Sequence, residues 1–418
     1  MRTSPWPRRL LWLALLLLLF LFGLAAVLPR LVEQGQNRVL AVEPAAVDAA
    51  SRELHARLRI ADWHADSLLW DRDLRQRADY GHVDLPRLRE AGVTLQVFTA
   101  VTQSPAGQNY ERNTLEGDRI RLLALAQRWP RATWDSPLER ALHQARRLQG
   151  WIDAGAAVRL LRDAPALRAA LAERGTPGGE PGGEAPAPLL AVLGIEGMHA
   201  LEGELAALDA LWAAGYRIFG LQHFFDNRLG GSLHGQQQGG LSDFGREVVQ
   251  AIEARGGIVD VAHSSAAVVE DVLALARRPV VVSHTGVAGA CDSPRNLPDA
   301  LMARIAAAGG LIAIGYWDAA VCEASAAGIV ASLRYAIDTF GLEHVALGSD
   351  FDGAVATPFD VTGLPQLTAT MRAQGFSEAE IAAVMGENTL RFLQRWLPQS
   401  PAATPAATAD NQPLAARF

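Results

Sequence analysis

The stretch ADWHADSLLW, residues 61–70, sets His64 and Asp66 two positions apart, just after Asp62. Residues i and i+2 of a β-strand face the same side, so this imidazole and carboxylate can reach one point in space. Five more apolar runs end on a similar group. They are Glu196 in LLAVLGIEG, His223 in RIFGLQH, His263 in GIVDVAH, His284 in PVVVSH and Asp350 in HVALGSD. Four of the chain's ten histidines stand at such positions. Each has a bland reading. A lone histidine after a strand is more often simply hydrogen-bonded, Glu196 could favour a helix N-terminus, and Asp350 with Asp352 could form an Asx-turn. Those readings would all have to hold together, so a metal centre accounts for the pattern better. Histidine and carboxylate without thiolate suit Zn²⁺. Three histidines and two acids exceed what one tetrahedral ion needs. Two ions roughly 3.5 Å apart with a carboxylate bridge fit better. Glu196 is the natural bridge, because the chain has no lysine that could be carboxylated for that purpose. Asp350 is then free to act as a base.

These groups need elements that bring run ends together. Besides the six runs, VTLQVFTAV and LIAIGYW complete a set of eight, separated by Ala/Leu/Arg stretches with helical spacing. Eight strands alternating with helices imply parallel pairing and a closed (β/α)₈ TIM barrel, an α/β fold whose strand ends meet at one catalytic face. The segment AAVRLLRD is read as part of the long helical region before a Gly/Pro-rich insert at residues 173–188. The catalytic domain is expected over 50–397, followed by a Pro/Ala-rich tail, 398–418, without apolar periodicity and read as disordered.

Composition prunes other functions. All basic side chains are arginine, which excludes a P-loop lysine and a Schiff-base lysine, and the formal charge of −7 does not favour nucleic acid. At the N-terminus, Leu10–Leu28 is an uncharged run of 19 residues, near the ~20 needed to span a bilayer. Arg2, Arg8 and Arg9 precede it, so residues 1–9 are expected in the cytoplasm, 10–28 as an inner-membrane anchor and 29–49 as a juxtamembrane linker, with the barrel periplasmic. A cleaved signal peptide is the competing reading. Only Cys291 and Cys322 are present, too few for a cysteine-rich zinc site. They follow the sixth and seventh runs, whose loops share one rim, so they could form a disulfide in an oxidising compartment. Two separate buried thiols are the alternative.

The ordered set DWHADSLLW, LGIEGMHAL, GLQH, VDVAHSS, VVVSHTG, CDSPRNLPD and LGSDFDG resembles the membrane (renal) dipeptidase family, a zinc metallopeptidase branch of the amidohydrolase superfamily. The resemblance runs from about Ile60 to Leu393. It implies that His64 and Asp66 bind one zinc, His263 and His284 a second, and that Glu196 bridges both. It also implies that His223 faces the reacting carbonyl, Arg295 the substrate carboxylate and Asp350 the proton in flight, with Tyr316 as a pocket residue. The implied reaction is dipeptide hydrolysis by a metal-bridged hydroxide, and the implied assembly a homodimer. Deacylation of an N-acyl amino acid, or a catalytically dead membrane-anchored binding protein, are the alternative functions.

Overall fold

The computed structural model describes residues 6–175 and 187–400. Most of the expected insert and nearly all of the expected tail lie outside the described residues. Eight parallel strands form a closed ring: β1 (Ile60–Ala65), β2 (Val93–Val101), β3 (Leu189–Glu196), β4 (Tyr216–Gly220), β5 (Ile258–Asp260), β6 (Val281–Thr285), β7 (Leu311–Ile314) and β8 (Val345–Leu347). Each pairs with the next, and β8 returns to β1 through Leu347 and Asp62. Trp63, Val97, Val192, Ile218, Ile258, Val281, Ala313 and Ala346, one from every strand, pack into a single buried cluster that Leu390 and Leu393 of the last helix join. A second, larger cluster binds the strands to the surrounding helices. Strands buried on both faces explain why the sequence shows apolar runs rather than alternation.

One expectation is corrected. Val158–Leu160, read as helical, is a strand that pairs in parallel with Leu189–Ala191. It occupies the side of β3 that β4 takes up only from Leu193 onward. Three residues between Ala/Arg-rich helices are too few to display a strand period.

Helix α1 runs Trp6–Gln36, containing Pro29 and the expected anchor segment. Among the described residues no helix is long and apolar enough to cross a membrane. The side chains of residues 17–22 and 24–26, inside the expected span, lie outside the described set. The stretch expected as a linker is structured. Its first part continues α1, where Glu33 is buried and pairs with Arg72, which also binds Asp352 at 2.7 Å. Arg38–Val39 then pairs with Ala356–Thr357, just past β8. The N-terminal segment is thereby fixed to the catalytic rim of the barrel.

Candidate metal centre

The ends of β1, β3, β5 and β6 bring His64, Asp66, Glu196, His263 and His284 into one buried cluster. Glu196 Oε1 lies 3.0 Å from His263 Nε2, 3.2 Å from His284 Nε2 and 3.8 Å from His64 Nε2. His64 Nε2 is 3.4 Å from Asp66 Oδ2, and the Nε2 atoms of His263 and His284 are 2.9 Å apart. Glu196 therefore stands between a His64/Asp66 pair and a His263/His284 pair. His223 and Asp350 join the same cluster, at 3.4 Å from Glu196 and 3.9 Å from His64. Ligand atoms gather as three overlapping groups: His64, Glu196 and His284; Glu196, His223 and His263; and His64, Asp66 and Asp350.

The surroundings aim these groups. The Ser283 hydroxyl lies between His64 Nδ1 at 3.3 Å and His284 Nδ1 at 3.0 Å, which turns both Nε2 atoms into the cluster. Such contacts to the second ring nitrogen fix the orientation of metal-binding histidines. Thr99 donates to Asp66 Oδ1 at 2.6 Å, leaving Oδ2 toward His64. The pairing of β1 with β2 slips between Asp62 and Ala65, and bulges of this kind re-aim side chains beside active sites. Asp62 accepts hydrogen bonds from Gln96, the Ser349 backbone and hydroxyl, and the His64 amide. It ties β1 to the turn carrying Asp350. In that turn Asp350, Asp352 and Ala354 all have φ near +60°, as does His263. Left-handed backbone at residues other than glycine costs energy and tends to occur at functional sites. Gly353 is required there, because a Cβ would collide with Asp350 Oδ1.

The electrostatics suit a cation. Burial, with Asp66 and Asp350 nearby, raises Glu196 well above the carboxylate range. Burial pushes Asp350 up to about 8, with His64 opposing and Asp66 adding. Burial and Arg295 hold His263 and, with His64, His284 well below the usual histidine range. His64 runs the other way: burial opposes its charge, yet Asp66 and Glu196 raise it to about 10. Acidic side chains that burial disfavours as anions are thus held in a dry pocket beside a charged His64 and the neutral imidazoles of His263 and His284. His64 Nε2 has no hydrogen-bond partner among the described residues. Divalent cations resolve this arrangement, because they stabilise ionised carboxylates and bind neutral imidazole. The residues fit a divalent cation.

Arg295 is buried, donates to the His284 carbonyl at 2.7 Å and lies 5.4 Å from the Trp317 ring centre. Its Nε has no partner among the described residues. It shares a 30 Å³ cavity with Tyr110, Phe224, His263 and Trp317. Tyr316 lies outside that lining, buried against Phe351 and Phe359. Trp317, the next residue in the loop after β7, takes the cavity position. Tyr110, Phe224 and Trp317 escaped the sequence reading because they sit in loops beyond strand ends. His223 Nδ1 lies 3.1 Å from the Gln103 carbonyl, which can only accept. The neutral ring then presents a lone pair at Nε2, and burial keeps its pKa down at about 4. Donation from Nε2 to an oxyanion requires the doubly protonated ring. Cys291 and Cys322 are joined as a disulfide spanning 31 positions, with Arg295 four residues beyond Cys291.

The sequence profile described as membrane dipeptidase (peptidase family M19) matches residues 48–397. Dipeptidase verJ of Clonostachys rogersoniana is 32% identical over 212 residues, covering 49% of this chain and 55% of that protein. Dipeptidase aclJ of Aspergillus oryzae is 33% identical over 218 residues, covering 50% and 52%. The chain therefore spans about half the length of these curated relatives. The crystal structure of dipeptidase AC, a metallopeptidase of family M19, superposes with a TM-score of 0.64 at 26% identity, covering 82% of this chain and 99% of that one.

Proposed function

The chain belongs to the membrane dipeptidase family, peptidase family M19, and on that footing we propose that it is a two-zinc dipeptidase acting on small dipeptides with a free C-terminal carboxylate. The observation that carries the proposal is the single oxygen, Glu196 Oε1, within 3.0–3.8 Å of three histidine Nε2 atoms. Two zinc ions held by His64, Asp66, Glu196, His263 and His284 would supply a water activated at neutral pH and an electrophile for the carbonyl.

The chain's own residues do the rest. Arg295 binds the substrate carboxylate through its partner-free Nε and the remaining guanidinium donors, a planar fork suited to that group. The narrow cavity around it leaves no path for a longer chain past the carboxylate. Asp350, raised by burial, accepts the proton of the attacking water and delivers it to the leaving amine, a base that becomes an acid. His223 faces the carbonyl, and stabilises a developing negative oxygen when its Nε2 carries a proton. We extend the proposal to location: Leu10–Leu28 anchors the chain in an inner membrane with the barrel on the extracytoplasmic side. Arg2, Arg8 and Arg9 before the run support this, and so does a disulfide, which persists in oxidising compartments.

The test assays the full-length protein on dipeptides and on N-acyl amino acids that share one C-terminal residue. Efficient release of that residue from dipeptides supports the proposal. Release from N-acyl substrates alone would assign a deacylase. No turnover of either at full metal content would leave a binding protein.

A further inference from the structure

Two cavities meet at Glu196 and His223. One is the narrow Arg295 chamber. The other measures about 320 Å³ and is lined also by Asp66 and His223. That volume is at the lower end of small-molecule pockets. Its walls are Leu69 and Trp70 after β1, Ile120 and Leu123 on the helix Arg119–Ala126, and Leu28 and Val32 on α1. The last two precede residue 48, where the match to the dipeptidase family begins. These two wall residues therefore come from the N-terminal helix, outside the matched segment.

The wall is held firmly. Glu33, next to Val32, is buried in its pair with Arg72. Asn37 Oδ1 accepts from the Ala354 amide at 2.9 Å, and Arg38–Val39 continues into a strand pairing. Arg119 reaches across to Gln36 at 3.4 Å, closing the gap between the two helices. Val32 is 37% exposed and Leu28 40%, so both present apolar surface to the cavity mouth.

We propose that this second cavity is the specificity pocket for the N-terminal residue of the dipeptide, and that Val32 and Leu28 make it select large apolar side chains. The inference rests on the dipeptidase reading and on Arg295 as the carboxylate clamp. With the carboxylate at Arg295 and the scissile carbonyl at Glu196 and His223, the N-terminal residue extends into the only direction left among the described cavities at the centre. There its side chain meets a wall of Leu, Ile, Trp and Val. Added methylenes in an apolar pocket are worth about 10- to 200-fold in discrimination.

The experiment uses the full-length enzyme in detergent with two matched panels, X-Ala and Ala-X, where X is Ala, Leu, Phe or Asp. Leu-Ala and Phe-Ala should exceed Ala-Ala by about tenfold or more in kcat/KM. Val32→Asp should lower the Phe-Ala to Ala-Ala ratio about tenfold while the Ala-Phe to Ala-Ala ratio holds. Leu28→Ser provides a second, milder variant with the same direction. Competitive inhibition by non-hydrolysable phosphinate analogues of the same pairs should follow the same order. A ratio unmoved in both variants, or one that moves on the Ala-X panel instead, would overturn the assignment of this pocket. No turnover of any dipeptide at full metal content would overturn the dipeptidase reading and this inference together.

Discussion

Replacing both Cys291 and Cys322 by Ala tests how the rim of the barrel holds its carboxylate clamp. The bond closes a loop across 31 positions. In the chain-entropy account its removal frees the unfolded ensemble by about 3.7 kcal/mol at 25 °C. At about 2 °C per kcal/mol, suited to a large domain, the melting point should fall by about 7 °C. The folded loops would stay near one another, because Asn296 donates to the carbonyls of Cys291 and Ala320, both at 2.9 Å, and accepts from the Gly286 amide at 2.8 Å. The loss should therefore appear mostly in stability. Arg295, on the untethered loop, should grip less well, so KM for dipeptides should rise while metal content is unchanged. The assays are thermal unfolding of the variant, of the wild type and of the reduced wild type, each with KM and metal content. The reduced wild type should match the variant. Two thiols titrating in the unfolded, unreduced wild type, or a melting point within about 1 °C of the wild type, would refute the reasoning.

Asp350→Asn should keep its metal and still bind dipeptide, while kcat falls by about 10² or more; near-normal turnover would assign proton transfer to another group. Burial pushes Glu33 up to about 7, with Arg72 and Arg147 opposing and Asp352 adding. The folded state thus holds this proton more tightly than the unfolded chain, so its stabilising effect is full below about 4.5 and is lost as pH rises through about 7. Hydrogen exchange over residues 29–39 should be faster at pH 8 than at pH 5 relative to Glu33→Gln, and an identical pH response in that variant would contradict the assignment. A reporter fused after Pro398 and active only outside the cytoplasm should be active; cytoplasmic activity, or a mature form starting near Leu28, would require a different topology.

The clustering of His64, Asp66, Glu196, His263 and His284 is legible in the sequence because a parallel barrel converts sequence position into spatial position. A histidine or acid that ends an apolar run must lie on the same rim as the others, whatever lies between. What a single run end cannot reveal is which of two neighbours turns inward. Tyr316 was expected at the cavity, and Trp317 lines it. The strand Val158–Leu160 was hidden because three residues carry no period and their neighbours favour helix. Tyr110 and Phe224 sit in loops whose path depends on packing far away in the chain. The N-terminal segment reads as an anchor from its apolar run and the arginines before it, which say nothing of the chain beyond. Glu33 is a single charge beyond that run, and its burial depends on Arg72 and Asp352, which belong to β1 and β8 loops.

The most direct test of the account is the metal content of fully active, full-length protein. Two zinc ions per chain are expected, with His263→Ala losing metal and activity together. Full activity with at most one tightly bound ion would contradict the role of Glu196 as a bridge, and with it the two-zinc dipeptidase.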